Sequence, residues 1–148
     1  MQLFIFKILD SRWLWIFARI LLAAVFISSG LSKLLDFQGG QAEMRAAGLQ
    51  PDWLFNIATI SVLLGGSVLL LIDRALWLGA GALIVFLLLT ILVVHRFWAL
   101  EEPAATQAMY WAFEHISLAG GLLAAAIASR SRRRLHTALE LYYGATSR

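Results

Sequence analysis

Residues 53–72 read WLFNIATISVLLGGSVLLLI and residues 75–94 read ALWLGAGALIVFLLLTILVV, with only Asp73 and Arg74 between them. Neither run carries a formal charge, and each has twenty residues, or ~30 Å of helix at 1.5 Å per residue. A two-residue connection forces two such helices to lie antiparallel. Upstream, residues 13–31 form a third apolar run of nineteen residues, interrupted by Arg19 and ending in Ser28, Ser29 and Gly30. It exceeds the apolar stretch of a usual leader peptide and lacks a small-x-small cleavage site before Lys33, so it reads as a span. Downstream, residues 104–129 form a fourth run, rich in alanine and glycine, with Glu114 and His115 inside it. The expected fold is all-α, a four-transmembrane-helix bundle over residues 13–129, with an N-terminal segment 1–12 and a basic tail 130–148.

Composition agrees with this placement. Apolar residues make up 61% of the 148-residue chain and charged residues 14%, with a mean hydropathy of +0.79, more than a water-soluble core requires. The lipid bilayer is therefore the first partner, and no stretch is left to build a separate catalytic domain. With no cysteine, disulfides, dithiol chemistry and thiolate-held clusters are excluded. A redox role would need a bound cofactor or a partner protein.

Orientation follows from the basic residues. Lys7, Arg12, Arg74, Arg130, Arg132, Arg133, Arg134 and Arg148 fall on one side of four spans, and Lys33, Arg45 and Arg96 on the other, which predicts cytoplasmic termini. Next to a span, the arginine run reads as a stop-transfer signal and phospholipid anchor rather than a nucleic-acid patch. Trp13, Trp15 and Trp77 mark the inner interface; Trp53, Trp98, Tyr110 and Trp111 mark the outer one. Leu135, Leu139 and Tyr142 recur at helical spacing, so the tail is expected along the inner surface. Between the first two spans, Gly39 and Gly40 predict a break, Gln41 to Ala47 a short helix, Gly48 its stop and Pro51 the next start. The small residues Ser61, Gly65, Gly66, Gly79, Gly81, Ser117, Gly120 and Gly121 read as packing positions.

Embedded polar residues collect in the outer half: Ser28, Ser29, Lys33, Asn56, Thr59, Thr90, His95, Glu114 and His115. A charged side chain at a span's centre costs ~2.5–3.5 kcal/mol on insertion scales, so Glu114 is expected to find a partner among Lys33, His95 and Arg96. Arg19 is expected to snorkel to the inner surface or reach Asp73. Glu114 and His115 point ~100° apart on a helix. Glu114 shares a stripe with Tyr110, Ser117 and Gly121, while His115 shares one with Trp111, Ala119 and Leu122. Two readings compete: a buried ion pair that fixes packing, and a polar pocket that binds a head group or passes a proton. His95, His115 and Glu114 match no metal-ligand spacing, and no metal site is expected.

The segment Gly30-Leu-Ser-Lys33-Leu-Leu-Asp36-Phe37, followed by Met44 and Ala46-Ala-Gly48-Leu49, resembles the DoxX family. So do Leu64-Gly65-Gly66 with Arg74 closing the second span, His95-x-Phe97-Trp98 closing the third, and Leu118-Ala-Gly120-Gly121-Leu in the fourth, over about residues 13–128. The resemblance implies a prokaryotic four-helix fold in the bacterial cytoplasmic (inner) membrane and redox-linked roles. Some members are the membrane subunit of thiosulfate:quinone oxidoreductase, and others accompany oxidative or quinone stress. Two positions depart from the family pattern: Val62 stands where members commonly carry glutamate, and Glu114-His115 where they carry lysine-asparagine. The resulting expectation is a quinone head group in an outer pocket, with Lys33, Asn56, His95, Trp98, Tyr110 and Glu114 as binding candidates. Glu114, His95, His115 and Lys33 are the candidates for proton chemistry, and electrons come from a redox partner protein. Whether the chain is itself an enzyme stays open. The alternatives are a non-catalytic membrane partner that recruits another protein and, with only the intramembrane charges in its favour, a small-solute transporter, in which a homo-oligomer would supply the pathway.

Overall fold

The computed structural model describes residues 2–146. Six α-helices and one short 3-10 turn account for nearly all of it. A short helix α1 (Gln2–Leu9) precedes α2 (Arg12–Leu35); α3 (Phe37–Ala46) follows, then α4 (Asp52–Ile72), α5 (Leu76–Val93), the 3-10 turn Phe97–Ala99, and α6 (Ala104–Thr146). Four of these, α2, α4, α5 with its 3-10 extension, and α6, are long and apolar enough to cross a bilayer, as the hydropathy runs predict. Each packs against the next: α2 on α4, α4 on α5, α5 on α6, with α3 laid across α2 and α4. The ring closes weakly, because α2 and α6 touch over a short stretch only.

The core is a column of aliphatic side chains: Ala23 and Phe26 from α2, Leu63 and Leu70 from α4, Leu76, Ala80, Leu83 and Leu87 from α5, and Leu122 and Ala125 from α6. Large apolar side chains on the outward faces, Phe17, Leu21, Val68, Val85, Leu89, Phe113 and Ile127 among them, are exposed, as surfaces solvated by acyl chains should be.

The small residues divide into two sets. A Cβ on Gly79 would lie 2.7 Å from the Gly66 carbonyl oxygen, and one on Gly66 would lie 2.8 Å from Leu83, so these two glycines let α4 and α5 approach backbone to backbone. Gly65, Gly81 and Gly120 face open space instead and hold no helix close. The expected packing role therefore belongs to Gly66 and Gly79 but not to Gly65, Gly81 or Gly120.

Two elements differ from the sequence expectation. The helix expected from Gln41 starts at Phe37 and runs through both glycines, because the Asp36 carboxylate accepts from the Gly39 N–H at 2.9 Å and caps it. Gly40 is needed there: a Cβ would lie 2.4 Å from Asn56 Oδ1. The helix stops as expected at Gly48 (φ +76°), where Leu49 N–H donates to the Met44 carbonyl at 2.9 Å. The second difference is the tail. No proline, glycine or cap intervenes between Ser129 and Gly144, so α6 continues unbroken for 43 residues, ~64 Å, rather than turning onto the surface as a separate helix.

Gly79→Ala should lower stability by about 1–3 kcal/mol, because its Cβ must push α4 and α5 apart. Gly81→Ala should be neutral or slightly stabilising, because its Cβ meets nothing and alanine favours the helix. Thermal unfolding of both variants in one detergent checks the contrast.

Candidate functional site

Polar groups gather at the two ends of the bundle in different ways. At the end where α4 turns into α5, the turn is so short that Asp73 takes the left-handed conformation, φ 65°. That conformation, uncommon for a non-glycine residue, turns its carboxylate back over the bundle. Trp15 Nε1–H donates to Oδ2 at 2.9 Å and the Ser129 hydroxyl donates to Oδ1 at 2.6 Å. Arg19 lies 3.6 Å from Oδ2 and Arg133 3.7 Å from Oδ1. Arg19, only 7% exposed, also donates to the Leu71 carbonyl at 2.8 Å, an acceptor freed at the last turn of α4. The guanidinium carbons of Arg19 and Arg132 stand 5.4 and 5.7 Å from the Trp15 ring centroid. Of the two fates expected for Arg19, reaching Asp73 is the one observed. Trp15, Ser129 and Arg133 were not singled out as its company. The available signal was their common depth once the spans alternate.

The opposite end does not assemble the expected pocket. Lys33 leaves α2 and pairs with Glu43 of α3, and Arg45 pairs with Asp52 at the start of α4, so both bases serve to fasten the short helix. Asn56 is fully buried under that helix, with its amide donating to the Phe37 carbonyl at 3.3 Å. His95, just beyond α5, sits against α6: its ring meets His115 edge-on at 4.9 Å between centroids and stacks on Trp111 at 6.3 Å. His115 Nδ1–H donates to the Trp111 carbonyl at 2.8 Å. Trp98 is exposed and packs edge-on against Phe97, with centroids 5.0 Å apart.

Glu114 is the residue placed most differently. It lies fifteen residues before Ser129 on α6, ~22 Å along the axis, and so in the half of the membrane that the sequence indicates. Its side chain is exposed on the outward face, and neither Lys33, His95 nor Arg96 pairs with it. The reason is the face by which α6 packs. Ala108, Ala112, Leu122, Ala125 and Ser129 are buried, and His115 and Ala119 lie on the same side, so α5 receives the small-residue stripe and Glu114 is turned away. Together with Tyr110, Phe113, Ser117, Leu118 and Leu22 of α2, Glu114 lines a groove of about 590 Å³ where α2 and α6 stand apart. Of the quinone-binding candidates, only Tyr110 and Glu114 share this groove. Among the described residues no cluster of three or more His, Asp or Glu side chains is placed to hold a metal ion.

Residues 14–96, more than half of the chain, match the DoxX family model. The chain belongs to the DoxX family. No curated protein and no solved structure gives a significant match. The matched part of this DoxX protein runs from α2 through His95 and Arg96 and stops before α6, a shorter reach than the residues 13–128 over which the motifs resemble the family. Lys33, Asn56, His95 and the Asp73 turn are thus inside the family match, while Tyr110, Glu114 and His115 lie beyond it. Val62, at the position where members commonly carry glutamate, is half-buried against the apolar core.

Asp73→Asn keeps a residue that tolerates the left-handed turn but leaves the buried Arg19 without its counter-charge. The expected loss is about 2 kcal/mol, the worth of a charged hydrogen bond. Ser129→Ala, which removes a donor and strands no charge, should cost about 1 kcal/mol. Thermal unfolding of the two variants in the same detergent tests that order.

Proposed function

We propose that this DoxX protein is a membrane subunit of a quinone-linked redox system in the bacterial inner membrane, with its termini in the cytoplasm. In this reading the α2–α6 groove receives the quinone head group from the lipid phase. The observation that carries this reading is a groove opening sideways to the hydrocarbon, with a carboxylate and a phenol on an otherwise apolar wall. Such a lining suits a ring with polar edges and a lipid tail: Leu22, Phe113 and Leu118 cover its faces, and Tyr110 and Glu114 supply hydrogen bonds at its rim. Ser117 contributes less, because its hydroxyl already donates to the Phe113 carbonyl at 2.9 Å. The basic residues expected around the head group are committed elsewhere, so the fit rests on Tyr110 and Glu114 alone. When bound, the quinone supplies the capacity to take up two electrons and two protons. Tyr110 orients it, the Glu114 carboxyl group relays a proton at its rim, and the apolar wall excludes water. In this reading the electrons come from a partner protein, since with no cysteine the chain supplies no dithiol of its own.

A second reading is favoured by the same exposed carboxylate. Glu114 with Ser117 and Gly120 presents polar and small groups outward, the face on which a transmembrane helix of another protein would dock, and the chain would then be a non-catalytic partner.

One experiment separates the two. In nanodiscs made with and without added quinone, the wild-type protein should be stabilised by about 2.7 kcal/mol when quinone stands at a hundred times its Kd. Glu114→Gln and Tyr110→Phe should each lose most of that gain. Without quinone, Glu114→Gln should melt like wild type, because no bond within the bundle is removed. Absence of any quinone-dependent shift would overturn the quinone reading. Loss of co-purifying membrane protein from Glu114→Gln under the same conditions would establish the docking reading in its place.

A further inference from the structure

The unbroken run of α6 carries Arg130, Arg132, Arg133 and Arg134 past the bundle, and the structure shows where each goes. Arg132 turns inward, over Trp15 and onto the Asp10 carbonyl at 3.3 Å. Arg133 is shared: it donates to the Arg74 carbonyl at 2.7 Å and lies 3.7 Å from Asp73. Arg130 and Arg134 are exposed and form no ion pair among the described residues. With Arg133, Thr137, Ala138 and Leu141 they make up one continuous exposed face of the helix.

Depth decides what such a face meets. Ser129 is bonded to Asp73, so it stands level with the α4–α5 turn. Arg130 and Arg134 then lie ~1.5 and ~7.5 Å beyond that level along the helix axis. Trp13 (80% exposed) and Trp77 (69% exposed) sit at the same end, at the starts of α2 and α5, where amphipathic rings mark the headgroup layer. The chain's own acids at this end do not neutralise the arginines. Asp73 is already shared among Arg19, Arg133, Trp15 and Ser129, Asp10 contributes its carbonyl, and Glu140 lies 3.3 Å from His136 Nδ1. Arg130 and Arg134, spaced i and i+4, repel each other on the helix unless an anion lies between them.

We propose that Arg130, Arg133 and Arg134, with the Thr137 hydroxyl, form a binding site for the phosphate of one anionic phospholipid headgroup at the Asp73 end of the bundle. Guanidinium groups suit a phosphodiester because each presents paired N–H donors to paired oxygens. Arg133 links this site to the Asp73 cluster, so the bound lipid braces the junction between the bundle and the projecting part of α6. The site is independent of the α2–α6 groove, which lies in the other half of the membrane.

The test uses the full-length, delipidated protein in detergent doped with phosphatidylglycerol or phosphatidylcholine, with retained lipid counted by native mass spectrometry. One phosphatidylglycerol should bind saturably and phosphatidylcholine should not. The double variant Arg130→Gln/Arg134→Gln should bind it about 30-fold more weakly, at the worth of an arginine near an anionic surface. Arg96→Gln, an exposed charge at the opposite end, should bind as wild type, and both proteins should melt as wild type. Equal retention of the two lipids, or an unaltered double variant, would overturn the proposal. Displacement of the lipid by millimolar inorganic phosphate would assign the site to a free oxyanion instead. Tighter capture of soluble polyglutamate than of phosphatidylglycerol would assign it to an acidic protein partner.

Discussion

The bundle turns on one carboxylate. Asp73 takes a left-handed conformation in the short α4–α5 turn, and from there it accepts from a tryptophan of α2 and a serine of α6 while facing an arginine from each. Helices in lipid gain little from burying apolar surface against one another, because acyl chains solvate leucine as well as leucine does. What fixes their register is close backbone approach and polar contacts with few alternatives. The Gly66–Gly79 contact supplies the first between α4 and α5. Asp73 supplies the second among α2, the α4–α5 turn and α6, and it lets Arg19 stay buried within the membrane's inner region without an unpaired charge.

A bundle fastened at one end is free to open at the other. Away from Asp73, the polar residues of α2 and α4 are spent on seating α3: Lys33 on Glu43, Arg45 on Asp52, Asn56 under Gly40. None of these reaches across to α6. Helix α6 is held there chiefly by α5 and the segment that follows it, with His95 against His115 and Trp111, and α2 and α6 leave a groove between them. The exposure of Glu114 follows from this arrangement. A carboxylate on that face is costly as a packing element and useful only to something that arrives from the lipid, which is why the groove, rather than the ion pairs, is the place to look for function.

The sequence disclosed the spans because each apolar run is long and nearly free of charge, and it disclosed Arg19 with Asp73 because both fall at the same depth. It did not disclose that Glu114 faces outward, for a definite reason. Depth along a helix is readable from residue count, but the direction a residue faces depends on which stripe wins the packing contest. On α6 two stripes compete, and the glutamate stripe is the more polar. The alanines Ala108 and Ala112, with Leu122, Ala125 and Ser129, permit the closer approach to α5, so they are buried and carry His115 with them. Their spacing was visible in the sequence and would have predicted the outward turn of Glu114. Likewise the glycine pair at 39–40 looked like a break, and only the Asp36 cap and the buried Asn56 reveal it as a seat.

The reach of the family match gives these two ends different meanings. Residues 14–96 contain the α4–α5 turn, the α3 cap and His95, while α6 completes the core with Leu122 and Ala125 and the Asp73 cluster with Ser129 and Arg133. Helix α6 lies outside it and holds two features that form no ion pair among the described residues, the Glu114 carboxylate and, ~22 Å or more along the same helix, the outward guanidinium groups of Arg130 and Arg134. A fold can be shared by proteins with different tasks, so function is argued from the groups a particular chain leaves unpaired. On α6 those groups are Glu114 and the outward arginines. In this chain the acid and the bases are separated by more than the length of a direct contact, so the two proposed sites are separate. In those proposals the carboxylate would meet a neutral, hydrogen-bonding ring within the hydrocarbon, and the guanidinium groups would meet the phosphate layer.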